Sequence, residues 1–300
     1  MRDPLHFDRT AAAYDAVRPG YPGPLIDAVL AEAGTVTEPL ELGCGSGQLT
    51  RSLATRGLKV HAIDIGAALL KRARANFAAY PQVRFEQADL RAWSPPRRCD
   101  LVASASAFHW LPTKQALALA ADALPPGGTR AILRHDHPLP LTGFHRRAQA
   151  VYRQVFPADP GIAAMPSDED RISAVSAQFA LEPRLGPVTE RTVRWSAHYD
   201  RDTYLKLLRT YSDQGSLPPD RWRTLSSGLA AIIDQEHGGN VERPYLTVAW
   251  IVHRRGTAMR APGSRALHAE PLTSAEAGRY APRWAGGWRA DAWRCASQAG

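Results

Sequence analysis

Residues 41–47 read Glu41-Leu42-Gly43-Cys44-Gly45-Ser46-Gly47, and this run constrains the fold of the 300-residue chain more than any other. It follows the apolar segment Glu38-Pro39-Leu40-Glu41-Leu42 and precedes a helix-like stretch from Leu49 to Arg56. Glycines there permit positive φ and let a ligand approach the backbone without meeting a Cβ. A glycine loop at the carboxyl end of a strand, at a topological switch point, is a nucleotide-type site. The spacing is Gly-x-Gly-x-Gly, not Gly-x-Gly-x-x-Gly, and no Gly-Lys-Ser/Thr is present to cradle a triphosphate.

The loop sits in an alternating pattern. Leu58 to Asp64 reads as a second strand, Ala67 to about Tyr80 as helix, and Val83 to Glu86 as a third strand. Cys99 to Ser104 is a fourth, residues 114–124 are helical, and Pro125-Pro126-Gly127-Gly128 turns the chain into a fifth strand, Thr129 to Leu133. Strands alternating with helices imply crossover connections and a parallel sheet covered on both faces.

The second half changes character. Residues 140–185 hold helical pieces, Phe144 to Phe156 and Arg171 to Phe179, and no strong strand. Pro187 to Trp195 and Tyr245 to Val252 read as strands, with helices over Tyr204 to Tyr211 and Arg221 to Gln235 between them. Two late strands can pair antiparallel and extend the sheet at one edge. From Gly256 onward the apolar period is lost, so residues 256–300 read as a mostly disordered tail. Trp284, Trp288 and Trp293 are unusual there, either incidental or a short helix that docks on a partner.

Composition excludes several classes. At 44% apolar and 22% charged, the chain can bury a sizeable core. No run approaches the roughly 20 apolar residues of a membrane span, and the N-terminal residues lack a signal-peptide core. The expected location is the cytoplasm, with no membrane partner. Cys44, Cys99 and Cys295 fit neither a disulfide framework nor zinc spacing, so no metal is expected. The net charge of +8 invites a nucleic-acid reading, yet only Lys59, Lys71, Lys114 and Lys206 are lysine. The arginines are scattered, with no run longer than a pair, so no nucleic-acid partner is expected.

Two carboxylates add chemistry to the loop. Asp64 ends the second strand, where it can accept hydrogen bonds from both hydroxyls of a ribose. Asp89 follows the third strand, where a carboxylate can accept from an exocyclic adenine amine. With their neighbours Ile65 and Leu90 they describe an adenosine site that makes little provision for phosphates. Taken singly, Asp64 also reads as a helix N-cap and Asp89 as a solvated turn residue.

Residues 1–255 resemble the class I S-adenosylmethionine-dependent methyltransferases. Glu41 to Gly47, Asp64, Asp89, Cys99 to Ser104 and Leu124 to Gly128 match that family's ordered motifs. Phe7-Asp8, Tyr14, Arg18 to Pro22 and Ala107 to Trp110 look like the methyltransferase type 11 subgroup that includes trans-aconitate methyltransferase-like enzymes. The resemblance implies a Rossmann-like sheet of seven strands, mostly parallel, with the last antiparallel and helices on both faces. It also implies a helical cap inserted after strand five, at 140–185. The implied activity is methyl transfer from S-adenosylmethionine to a small-molecule acceptor, leaving S-adenosylhomocysteine. The alternative is a protein of the same fold that binds this cofactor without transferring methyl groups.

The transfer is an in-line displacement, so position and a dry pocket matter more than a general base. The resemblance implies that Glu41 orients the loop or approaches the methionine ammonium. Gly43, Gly45, Gly47 and Ser104 complete the expected cofactor contacts. Arg18 can bind the methionine carboxylate. Tyr14 and Tyr21 can cover the cofactor or anchor the N-terminal segment. Phe108 and Trp110 can wall the pocket or face the sulfonium. His109, and His135 and His137 after the fifth strand, are candidate bases. A nucleic-acid amino methyltransferase is disfavoured, because Ser104 to Phe108 stands where those enzymes often carry Asn/Asp-Pro-Pro-aromatic.

Overall fold

The structure, a computed structural model, describes residues 6–141, 143–157 and 165–256. The expected tail, with its three tryptophans, lies outside the described residues apart from Gly256.

Seven strands form one sheet: β1 (Leu40–Leu42), β2 (His61–Asp64), β3 (Arg84–Gln87), β4 (Leu101–Ala105), β5 (Thr129–Asp136), β6 (Leu185–Asp200) and β7 (Asn240–Arg254). Their spatial order is β3-β2-β1-β4-β5-β7-β6. The strands from β1 to β5 pair parallel, and β7 runs antiparallel between β5 and β6. The chain steps from β1 to β2 on one side and returns to β4 on the other, so β1 marks the switch point.

Buried position explains strand composition. Leu40, Glu41 and Leu42 are all buried, as a central parallel strand requires, whereas the edge strand β3 is partly exposed. The two late strands run to 16 and 15 residues, well beyond the apolar stretches visible in the sequence. Their outer ends, residues 195–200 and 240–245, pair only with each other.

The first face of the sheet is covered by α3 (Gly23–Ala33), α4 (Gln48–Ala54), α5 (Ala67–Asn76), α7 (Gly143–Val155), α9 (Arg201–Arg209) and α11 (Pro219–Glu236). The second face is covered by α6 (Thr113–Ala123) and α8 (Asp168–Gln178), which pack on Ile132, Val248 and Trp250. The segment 140–185 thus divides: α7 joins the first layer and α8 the second. The remaining helices are short: α1 (His6–Arg9), α2 (Ala11–Val17) and α10 (Ser212–Gly215).

Several local readings need correction. His135 and Asp136 belong to β5 and do not follow it; only His137 lies beyond the strand. The helix after β2 ends at Asn76, four residues before Tyr80, where Phe77 leaves helical geometry. The N-terminal lead-in, although rich in Pro and Gly, forms α2 and α3, with proline in the first turn of α3, where its missing N–H costs nothing.

Candidate cofactor cleft

The loop after β1 is held by its glycines. Gly43 has φ of 77°, and a Cβ on it would lie 2.4 Å from Ala107 Cβ. Gly47 has φ of 100°, and a Cβ there would meet the Phe77 ring at 2.4 Å. Both positions therefore exclude a side chain on conformation and on space.

Asp64 ties this loop to the next one. Its Oδ2 accepts from Gly45 N–H at 2.8 Å and its Oδ1 from Gly66 N–H at 2.8 Å. Burial pushes its carboxyl above the ordinary range, while the Gly66 and Gly45 N–H groups pull it back. Two accepted bonds leave further lone pairs for ligand hydroxyls.

Glu41 stands beneath the loop at 1% exposure. Thr50 Oγ1 donates to its Oε2 at 2.6 Å. Burial pushes Glu41 up to about 8, with Thr50 pulling it down and Asp64 adding to the rise. A carboxyl in that state is completed by a nearby cation.

The N-terminal segment roofs the loop. Tyr14 lies against Gly45. Tyr21 OH and Ser106 Oγ are 3.0 Å apart, and Tyr21 stacks on His135 with centroids 4.4 Å apart. Arg18 donates from Nε to Thr210 Oγ1 at 3.0 Å and from Nη2 to Thr210 O at 2.8 Å, and its guanidinium lies over the Tyr211, Tyr14 and Phe7 rings. Asp8 Oδ1 accepts from Ala68 and Leu69 N–H at 2.7 and 2.9 Å, pinning the segment to the start of α5.

One cleft results. Tyr14, Arg18, Tyr21, Glu41, Gly43 and His135 line it, together with Pro19, Cys44, Gln48, Leu49, Ala105 and Ser106. Thr247 Oγ1 lies 2.8 Å from His135 Nδ1 and accepts from Trp195 Nε1 at 2.7 Å. Burial pushes His135 down to about 3, against a partial pull from the Gly20 backbone, so the ring is neutral at pH 7. Burial likewise raises the Cys44 thiol, which keeps it protonated.

Other expected residues lie elsewhere. Ser104 Oγ donates to Leu42 O at 2.9 Å, joining β4 to β1 below the cleft. Phe108 packs in the cluster on the second face, beneath the Arg130 guanidinium, and not on the cleft. Trp110 meets Phe7 edge-on at 5.4 Å and so braces the N-terminal roof, with His109 beside it. Asp89 is paired at the surface with Arg91, whose hydrogen bonds hold its carboxyl below the usual range. Ile65 and Leu90 are half-buried; Leu90 packs with the apolar cluster on the second face. His137 packs against His145 with centroids 4.4 Å apart. Among the described residues, no group of three or more His, Cys, Asp or Glu is placed to hold a metal, and no helix is long and apolar enough to cross a membrane.

Sequence reasoning missed Ser106 and Asp8 as cleft-forming residues. Ser106 is the one described non-glycine residue with positive φ, at 53°, a backbone state the sequence does not announce. Asp8 is visible only within the Phe7-Asp8 pair, and its partners are 60 and 61 residues away.

Comparisons with known proteins converge on this half of the molecule. A methyltransferase domain family matches residues 40–128, from β1 to the turn before β5. The chain is 38% identical over 107 residues to trans-aconitate 2-methyltransferase of Azoarcus sp. (strain BH72), covering 35% of this chain and 37% of that protein. To the protein of the same name from Rhizobium meliloti (strain 1021) it is 37% identical over 103 residues, covering 32% and 38%. The chain therefore spans well under half the length of these relatives. A solved structure, a candidate type II methyltransferase from Anaeromyxobacter dehalogenans, superposes with a TM-score of 0.54 over 80% of this chain and 98% of that one, at 22% identity. That likeness is one of fold. The glycine loop, the switch-point strand β1 and Asp64 all lie within residues 40–128, the segment that matches the methyltransferase domain family.

Proposed function

We propose that the chain transfers a methyl group from S-adenosylmethionine to a small-molecule acceptor by in-line displacement. The observation that carries this reading is a cleft lined by Glu41 and Gly43, whose glycine loop Asp64 fixes through the Gly45 N–H. Glu41 is a buried carboxyl with a hydroxyl partner and no cationic one among its described bonds, which suits an ammonium or a sulfonium. Asp64 keeps accepting capacity for ribose hydroxyls while it fixes the loop. Gly43 and Gly45 take the positive φ of a tight turn, and a Cβ on Gly43 would clash with Ala107.

When bound, S-adenosylmethionine supplies a methyl group already activated for displacement. The chain's own residues then bind, orient and exclude water. Tyr14 and Tyr21 cover the loop, Arg18 holds the roof to Thr210, and Trp110 braces it through Phe7. Orientation of this kind can contribute roughly 7–11 kcal/mol to a barrier. His135, neutral at pH 7, acts as a polar wall and not as a proton acceptor. His109 and His137 remain the candidates for a base. Asp89 reaches an adenine amine only by leaving Arg91. We assign residues 1–255 to this domain, with α7 as a wall on its acceptor side.

Transfer of label from methyl-labelled S-adenosylmethionine to a panel of small organic acids, amines and phenols tests the proposal. The expected result is label on at least one acceptor with wild type and none with Asp64→Ala. Tight cofactor binding with no label transferred to any acceptor moves the chain to the alternative, a cofactor-binding protein without methyl transfer.

A further inference from the structure

β5 ends at Asp136, opposite Leu246 of β7. Beyond that point residues 240–245 of β7 pair only with residues 195–200 of β6, and this ribbon continues past the ligand end of the parallel strands. Arg243 lies on the ribbon and is 4% exposed. Its Nη1 donates to Tyr204 OH at 3.3 Å, and the Tyr245 hydroxyl is a second hydrogen-bonding neighbour. Its guanidinium sits 5.3 Å from the Tyr245 ring centroid, and its Nε has no hydrogen-bond partner. No carboxylate among the described residues forms an ion pair with it. Arg171, equally buried, is paired with Asp168, whereas Arg130, at 1% exposure, forms no carboxylate ion pair among the described residues either.

Tyr199, Tyr204, Tyr211 and Tyr245 surround Arg243, and a second cation, Arg18, lies over the Tyr211 ring. Tyr199 and Tyr245 share a hydroxyl contact at 3.2 Å, and burial pushes His145, which faces Tyr204, well below the usual imidazole range. Tyr211 has a buried hydroxyl with no partner, and its nearest charges are Arg243 and Arg18. Guanidinium cannot shed its proton at working pH. Burying it without a carboxylate partner is costly, and the four tyrosines surround it in place of one. The cleft is one ring away, because the Tyr245 centroid lies 5.5 Å from that of His135, which lines the cleft.

We propose that Arg243 and Tyr211 form the acceptor's recognition site, and that the acceptor is a small molecule bearing a carboxylate. A planar fork of donors matches a planar carboxylate, and Nε is the donor left open. The assignment rests on the reading of the neighbouring cleft as the cofactor site. Arg147 of α7, by contrast, is bound at the surface to Glu236.

Thermal unfolding of the full chain tests it, with sodium acetate, benzoate, succinate and citrate as probes against sodium chloride and benzamide. Wild type, Arg243→Met and Arg243→Lys are compared, and each is titrated with S-adenosylhomocysteine. At least one carboxylate is expected to raise the wild-type Tm above the chloride and benzamide controls. Arg243→Met should lose that rise, bind S-adenosylhomocysteine within about twofold of wild type, and unfold no earlier than wild type without ligand, since it removes an uncompensated buried charge. Arg243→Lys should keep a response weakened at least ~10-fold in concentration, because its point charge lacks the fork. The proposal is overturned if no carboxylate exceeds the controls, or if the response survives in Arg243→Met. Should Arg243→Met fail to fold, an undiminished response in Arg243→Lys overturns it. A carboxylate response that depends on Arg243, in a protein that ignores S-adenosylhomocysteine, would sink the cofactor reading and leave the anion site standing.

Discussion

Asp64 Oδ2 accepts the N–H of Gly45 at 2.8 Å, so an acid at the end of β2 fixes the loop that follows β1. The other carboxylate oxygen holds Gly66, and one side chain therefore sets the backbone of the loops that follow β1 and β2. Asp64→Ala removes both acceptors. Hydrogen bonds to a charged group contribute roughly 1.5–3 kcal/mol each, so S-adenosylhomocysteine affinity is expected to fall at least ~10-fold. Calorimetric titration measures this, and unchanged affinity would remove Asp64 from the site.

Glu41 predicts a pH dependence. Burial holds its folded carboxyl near 8, against an ordinary value of 4.5. A raised folded value favours the protonated form. The stability it confers on the ligand-free chain is full below 4.5 and lost as pH rises through 8. Glu41→Gln, which mimics the protonated state, should match wild type at pH 5 and exceed its stability at pH 9. Binding of a cationic ligand should release a proton near pH 7, visible as a dependence of calorimetric heat on buffer ionisation enthalpy in wild type and not in Glu41→Gln. Equal pH profiles for the two proteins would contradict the assignment.

Gly43 and Ala107 make a paired prediction. A Cβ at Gly43 meets Ala107 Cβ at 2.4 Å and also requires a left-handed backbone. Gly43→Ala should destabilise the chain by about 1–3 kcal/mol, the range for strain at a special φ/ψ. Adding Ala107→Gly relieves the contact and not the φ, so denaturant midpoints should recover only in part. Full recovery would show that space alone excludes a side chain.

Asp8 secures the roof through two N–H groups of α5. Asp8→Ala should speed amide hydrogen exchange in α2 and raise the S-adenosylhomocysteine dissociation rate several-fold, while exchange in β7 stays as in wild type. An unaltered dissociation rate would mean that the roof does not gate the cleft.

The cofactor half of this fold was largely legible in the sequence, because strand, glycine loop and acid recur there at short separations. Leu40 to Asp64 spans one strand–helix–strand unit, and local rules describe such units well. The roof was not, since Tyr14, Arg18 and Tyr21 find Gly45, Thr210 and Ser106 through contacts that no local pattern encodes. Phe108 was misplaced because a short helical turn after β4 aims it at the second face, while Ser106, two residues earlier, enters the cleft. The charged outer ends of β6 and β7 hid their length, as their pairing partners lie 40 or more residues apart. Arg243 looks like one arginine among many in the sequence, and its burial, shared with Arg18, Arg130 and Arg171, is visible only in the fold.

The central claim is that the cleft above Gly43 and Gly45 holds an adenosyl cofactor. Calorimetric titration of the full chain with S-adenosylmethionine, S-adenosylhomocysteine and NADH tests it most directly. The account predicts saturable binding of both adenosyl ligands, loss of that binding in Asp64→Ala, and no binding of NADH. A folded wild-type chain that binds neither adenosyl ligand, or that binds NADH in preference, would contradict it.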